Sequence, residues 1–257
     1  MLKSDLKGLS KTWKPEKRHT GIYSGGKIQL TCDGDLIACM YGGDVNFLAI
    51  KTGDVARRLW GEPEDHEDEE GREEVICFAL SRTSADELTT ASRNLLLRYW
   101  RWDPEASKFT MLRALKGHTL PVLAMDYDGS GALCATGGVD RTVKVWDVPR
   151  GYATHNFKGH AALVTAVAFP PDPRQMVVVS GSEDCTVRVW DLIAKKSCVA
   201  VFKDHLSVVT TLAFSGSYTL LTGSRDKVVN FWDLRGRRLL ATLPVYEEVE
   251  GLQVVPS

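Results

Sequence analysis

The sequence carries almost no net charge: 32 Lys and Arg stand against 33 Asp and Glu, leaving −1 over 257 residues. It also lacks long apolar runs; none exceeds the six residues of Leu36 to Tyr41. A spanning helix needs about 20 apolar residues, so no membrane-spanning helix is encoded. The Lys-rich N-terminus has no apolar stretch of about 7–15 residues, so no secretory signal is read there. The six cysteines (Cys32, Cys39, Cys77, Cys134, Cys185, Cys198) form no CxxC pair. They read as small buried hydrophobes in a reducing compartment, neither disulfides nor a zinc site. There is no GxxxxGK[ST] and no HExxH. No segment keeps a helical period, and no basic-aromatic RNA-recognition motif is present. What is present is an ordinary globular composition, 44% hydrophobic and 25% charged, which excludes disorder as the dominant state.

The near-zero charge hides an asymmetry. Glu62 to Glu74 holds nine acidic residues and one Arg, a charge of −8, which leaves +7 on the remainder. Lys3, Lys7, Lys11, Lys14, Lys17 and Arg18 crowd the first 18 residues. A mildly basic body with one acidic loop is compatible with a nucleic-acid neighbour. The plainer reading is a solvated, mobile loop and a frayed tail. Glu64 to Asp68 is rich in oxygen ligands, but no partner segment completes a metal site.

Two markers recur along the chain. Lys116-Gly117-His118 returns as Lys158-Gly159-His160 and Lys203-Asp204-His205, with His-to-His steps of 42 and 45. Val145-Trp146-Asp147 returns as Val189-Trp190-Asp191 and Phe231-Trp232-Asp233, with steps of 44 and 42. Two independent markers on one period of about 43 form the GH…WD signature of WD40 repeats. Between them lie short β-branched and aromatic stretches bounded by Gly, Pro and Asp. Val122–Tyr127, Leu133–Thr136, Thr142–Trp146 and Tyr152–Phe157 read as four strands, one propeller blade.

Two weaker repeats precede these. Thr89 to Trp100 keeps the Trp, has Asn94 at the turn Asp, and has no preceding His. Ile37 to Ile50 keeps a turn Asp, Asp44, and loses both His and Trp. After the last Trp-Asp pair, Val249 to Val255 reads as the first strand of a sixth blade. The expected fold is all-β: an incomplete WD40 propeller of five four-stranded blades plus that strand. Its segments are a basic tail at 1–20, blades near 21–61, 74–115, 116–157, 158–202 and 203–243, a stub at 244–257 and an acidic loop at 62–74. Open blade ends expose strand edges. The chain is therefore expected to be the N-terminal part of a larger protein, or one whose open ends another protein completes.

Each strong repeat offers the same four side chains: His118, Thr136, Asp140, Trp146; His160, Ser180, Asp184, Trp190; His205, Thr222, Asp226, Trp232. Ser180, His160 and Asp184 have the residue types of a hydrolase triad. A nucleophile is a single site, however, and this set occurs three times at one period. It fits a buried chain in which Asp meets His, His meets the hydroxyl and the hydroxyl meets the indole N–H. Asp128-Gly-Ser-Gly131 precedes a strand, whereas a phosphate-binding turn precedes a helix. Nothing in the sequence supports an enzyme, a cofactor or a small-molecule substrate.

Segments outside the generic signature narrow the likeness: Tyr23-Ser24-Gly25-Gly26, Thr90 to Trp102 with its second Trp, Arg150 to Phe157, Phe169 to Pro173, Ser224 to Lys227, Leu243 to Glu250 and the acidic insert. Together they resemble the U3 small nucleolar RNA-associated WD40 proteins of the small-subunit processome. That resemblance implies a non-catalytic nucleolar scaffold in processing of the 18S ribosomal RNA precursor. The implied partners are other WD40 propeller proteins of the processome, with U3 RNA and precursor RNA met directly or through them. Family members are longer, with a second propeller and a helical C-terminal domain. A different reading is a generic WD40 peptide-binding adaptor of a ubiquitin ligase or chromatin complex. By the same resemblance the contact face carries the GH loops and turn Asp residues. The side chains expected there are Leu120, Ala162 and Ser207 after the His, and Val139, Glu183 and Arg225 before the Asp. That set has no single-sign field and no aromatic platform, so it is expected to bind protein; RNA contact falls to the tail cations Lys3 to Arg18.

Overall fold

Twenty short strands, joined by turns rich in Gly, Asp and Ser, make up the regular structure of the described residues. The computed structural model describes residues 23–60, 74–194 and 197–254. The basic tail, with Lys3, Lys7, Lys11, Lys14, Lys17 and Arg18, lies outside the described residues, as does the acidic loop except for Glu74.

The strands form five antiparallel sheets, each built from four consecutive strands in chain order. The first holds β1 (Gln29–Leu30), β2 (Leu36–Tyr41), β3 (Asp44–Ala49) and β4 (Val55–Arg58). The second holds β5 (Val75–Leu80), β6 (Glu87–Ser92), β7 (Leu96–Asp103) and β8 (Lys108–Lys116). The third holds β9 (Val122–Tyr127), β10 (Leu133–Gly138), β11 (Thr142–Asp147) and β12 (Tyr152–Lys158). The fourth holds β13 (Val164–Ala168), β14 (Val177–Ser182), β15 (Val187–Asp191) and β16 (Cys198–Phe202). The fifth holds β17 (Val209–Ser215), β18 (Thr219–Ser224), β19 (Val228–Asp233) and β20 (Arg238–Pro244).

First strands β5, β9, β13 and β17 pack side by side and, with Lys27 to Gln29, line a cavity of about 970 Å³. Fourth strands lie outermost; every residue of β20 is exposed. One apolar cluster fills each of the four junctions between successive sheets. This is an arc of propeller blades, because a sheet with two apolar faces must bury both against neighbours.

A periodic glycine sets how closely the sheets approach. A Cβ on Gly137, Gly181 or Gly223 would lie 2.5, 2.6 or 2.5 Å from the Cγ1 of Val164, Val209 or Val249. Any side chain there would force the next sheet outward. The third of these contacts locates the segment after β20. It forms no ladder, yet it docks as the preceding first strands do. Thr165 donates to the carbonyls of Gly181 and Val209, and Thr210 donates in the same way to Gly223 and Val249. Val249 is buried, and its N–H donates to Ser224 at 3.2 Å.

Three sequence expectations need correction. Asp44 is not a turn residue: a two-residue turn at Gly42-Gly43, with φ of 58° and 80°, closes the hairpin, and Asp44 opens β3. Paired left-handed glycines suit the tight hairpin turn. Val249 onward, expected as a strand, forms no strand among the described residues; the outer hairpin of the second sheet is the longest, with eight residues in β7 and nine in β8. Of the six free cysteines only Cys39, Cys77 and Cys134 are buried; Cys32 is exposed, and Cys185 takes the left-handed turn position with φ of 62°.

Candidate functional site

The three His sets assemble at one end of sheets three, four and five. In each, the hydroxyl lies on the second strand, the Trp on the third, the Asp in the turn between them, and the His in the loop entering the sheet. Trp146 Nε1 donates to Thr136 Oγ1 at 2.8 Å, and His118 contacts that hydroxyl through Nε2 at 2.7 Å and Asp140 through Nδ1 at 2.9 Å. The same three distances are 2.8, 2.7 and 2.9 Å for Trp190, Ser180, His160 and Asp184. For Trp232, Thr222, His205 and Asp226 they are 2.9, 2.6 and 2.9 Å.

Donor and acceptor roles follow from the end that has no choice. A carboxylate only accepts, so Nδ1 carries the imidazole proton and Nε2 accepts from the hydroxyl. The hydroxyl oxygen then accepts from the indole. Burial pulls the His118 and His160 imidazoles below the ordinary histidine value, although their aspartates act in the opposite direction. Both rings are therefore neutral near pH 7, and the His–Asp contacts are hydrogen bonds rather than ion pairs. Burial acts to raise Asp184, but hydrogen bonds from Thr186, the Ala161 N–H and His160 outweigh it and hold the carboxyl at about 2. Asp140 and Asp226 are shifted down for the same reasons.

This geometry does not suit nucleophilic attack. Ser180, Thr136 and Thr222 are 0% exposed, and each hydroxyl is engaged by both Trp and His. The sets instead shape the loops. The N–H after each His donates to the turn carboxylate, from Thr119, Ala161 and Leu206 at 3.3, 2.8 and 2.9 Å. Thr142 and Thr186 donate to Asp140 and Asp184 at 2.7 and 2.6 Å, and their own N–H groups each add a fourth bond to the same carboxylate, at 3.1 and 3.0 Å. Sequence reasoning missed these threonines, although a Thr two residues after the turn Asp is a readable signal for such a turn.

The second sheet keeps the indole bond, Trp100 Nε1 to Thr90 Oγ1 at 2.9 Å, and Asn94 Oδ1 accepts from the Leu96 N–H at 3.2 Å as the turn Asp does in the later sheets. In the first sheet, register places Cys39 at the hydroxyl position and Leu48 at the Trp position.

On the face carrying these loops, Leu120, Glu183 and Arg225 are exposed, while Val139, Ala162 and Ser207 are half-buried. Arg225 lies 3.6 and 3.7 Å from Glu248 and Glu250. The most outward side chains here are ones the sequence reading did not select. Leu206, next to His205, is 89% exposed, and Tyr246 is 97% exposed. Both flank the Asp226 turn: the Leu206 N–H is held by Asp226, and Val245 N–H donates to the Lys227 carbonyl at 2.8 Å. Fixing its N–H on the turn carboxylate aims the Leu206 side chain at solvent.

The family model for the WD domain, G-beta repeat matches residues 109–147, 151–191 and 196–233. Each matched unit starts at the fourth strand of one sheet and ends with the third strand of the next. Over 243 residues, 94% of the chain, the sequence is 42% identical to Transducin beta-like protein 3 of Bos taurus and spans 29% of that protein's length. It is 40% identical to Transducin beta-like protein 3 of Homo sapiens over the same share, and spans 28% of its length. Nuclear distribution protein PAC1 of Arthroderma otae is 32% identical over 184 residues, which is 60% of this chain and 39% of that protein. Three matched repeats, three equivalent polar chains and five sheets of one strand order lead to one conclusion: the chain carries WD40 repeats.

Proposed function

We propose that this protein is a non-catalytic WD40 scaffold of nucleolar ribosome biogenesis, acting in the small-subunit processome that carries U3 RNA and processes the 18S ribosomal RNA precursor. The observation that carries the reading is similarity at 40–42% identity across 94% of the chain to Transducin beta-like protein 3 of four mammals. That similarity runs well beyond the three matched repeats. In this reading the His-loop face, with Leu120, Val139, Ala162, Glu183, Ser207 and Arg225, meets other propeller proteins. The outward Leu206 and Tyr246 supply the apolar contact that protein interfaces use at their centres. The tail cations Lys3 to Arg18 meet RNA phosphates without reading base sequence.

The test is affinity purification of the tagged protein from its own cells, with mass spectrometry and RNA sequencing of what is retained. Recovery of U3 RNA with other propeller proteins is expected. Recovery of a cullin or a chromatin complex without U3 RNA overturns the proposal in favour of a peptide-binding adaptor.

A further inference from the structure

At the end of the sheets opposite the His loops, one corner is built from arginine. The turn between β19 and β20 carries Arg235, Gly236 and Arg237, Arg238 opens β20, and all three arginines are exposed. The Arg235 guanidinium lies over the Tyr218 ring, 3.5 Å from its centroid. From the fourth sheet, Arg174 is gripped by Asp172 through two bonds of 3.0 Å. Arg238 approaches Asp233 at 3.8 Å. Four guanidinium groups thus face two carboxylates.

The corner is held in place by the fold. Leu234 N–H donates to the Tyr218 carbonyl at 3.0 Å, which joins the two turns of the fifth sheet. Gln175 Nε2 donates to the Ser217 carbonyl at 2.8 Å, which joins them to the Arg174 loop. A guanidinium stacked on an aromatic ring keeps its N–H edge outward and loses little further freedom on binding.

Arg237 places a second guanidinium in the same turn. Its φ is 50°, in the left-handed region that glycine prefers. The equivalent turn residues of the first three sheets are Gly53, Ser107 and Gly151, with φ of 70°, 50° and 77°. In the fifth sheet the glycine falls one residue earlier, at Gly236, and an arginine takes the strained position.

We propose that the Arg174–Tyr218–Arg235–Arg237–Arg238 corner binds the phosphate backbone of RNA. Guanidinium matches phosphate in geometry as well as charge. The turn itself carries arginine and glycine, and the exposed Leu239 and Leu240 lie beyond it on β20. The inference extends the RNA-linked reading above to a described surface and needs neither the tail nor the assembly.

The test uses the full chain with Lys3, Lys7, Lys11, Lys14, Lys17 and Arg18 changed to Gln, so that the corner is read without the tail. Binding of a labelled oligouridylate of about fifteen nucleotides is titrated at several salt concentrations. Substituting Arg235→Gln, Arg237→Gly and Arg238→Gln together is expected to weaken binding by about tenfold or more and to lower the salt slope by about 2. Arg237→Gly alone is expected to weaken binding while leaving the unfolding midpoint unchanged or raised by up to about 3 °C, because it relieves the left-handed strain. No binding by the tail-neutral chain, or binding indifferent to the arginines, overturns the proposal. So does a poly-glutamate peptide that binds more tightly than the RNA with the same arginine dependence, since the corner would then be an acidic-protein site. None of these results depends on which assembly the protein copurifies with.

Discussion

Sheets three to five and sheets one and two solve the same problem with different chemistry. Each blade must fix its hairpin turn and the loop that enters from the preceding blade. In the later three, a four-membered polar chain does this, running from a buried indole to a turn carboxylate. In the first two, aromatic area takes its place. Phe47 of the first sheet stacks on Phe109 of the second at 5.3 Å, and Trp102 meets Phe109 edge-on at 5.0 Å. Trp60 meets Trp100 edge-on at 5.2 Å. Arg57 lies 4.8 Å over Trp102 and pairs with Asp86 at 2.7 Å. The extra length of β7 and β8 is what brings Trp102 and Phe109 to this junction. A directional network tolerates few substitutions because every member needs its partner. Aromatic packing has no such requirement, and the first blade keeps neither His nor Trp.

The comparison breaks most sharply at Phe47, which is 1% exposed. Phe47→Ala should cost about 3–5 kcal/mol, read by denaturant unfolding, with the amides of sheets one and two losing hydrogen-exchange protection first. Loss that begins in sheets three to five would show that the junction is not held by its aromatic cluster. His160→Ala should cost less, about 1–3 kcal/mol, because it leaves Ser180 and Asp184 each short of a partner. Its effect should centre on the fourth sheet, and no hydrolytic activity should change with it. Trp190→Phe is the control that removes the N–H and keeps most of the buried area.

A milder perturbation is acid. The folded values of His118 and His160 lie below their ordinary 6.5, and burial is the larger cause. The unfolded chain therefore takes up protons first, so stability is whole above about pH 6.5 and falls as the pH drops below it. Asp140, Asp184 and Asp226, held below their ordinary 3.8, add a second loss beneath that value. Exchange at pH 5.5 against pH 7.5, corrected for the intrinsic rate, should accelerate in sheets three and four and spare sheet one. Equal acceleration everywhere would contradict the neutral-histidine assignment. The smallest effect expected is that of Arg57→Gln, under about 1 kcal/mol. Arg57 is partly open and its partner Asp86 is 48% exposed, so water and salt screen the pair. A larger loss would mean that the cation, rather than the rings, secures the first junction.

Legibility in the sequence followed the same division. The His and Trp-Asp markers placed the later sheets because a repeated polar network leaves repeated letters. Trp100 and Asn94 sufficed for the second sheet. The first was readable only as alternating apolar residues around Gly42-Gly43, and there Asp44 was given the wrong role, since the two glycines fill the two-residue turn and Asp44 falls on the strand after it. The second Trp of the Trp100 to Trp102 segment was visible as a letter but its purpose was not. Its partners Phe47, Arg57 and Phe109 belong to three strands of two sheets, and no local period links them. Leu206 was passed over for Ser207 because the backbone bond to Asp226 that turns it outward depends on a residue 20 positions away.

The repeating unit of the sequence and the sheet are out of step by one strand, and this bears on how the gene can change length. Residues 151–191 contain β12 and the first three strands of the fourth sheet. Were that stretch excised, β16 would follow β11 and take the place of β12, while Val209 would meet Gly137 as it now meets Gly181. A recombination event at those boundaries removes one blade and leaves no frayed strand behind. The deleted chain is expected to melt cooperatively as a four-sheet protein; aggregation on expression would disprove it. Unequal crossing-over between repeats can therefore alter blade number in a single step, with each intermediate gene encoding a foldable product.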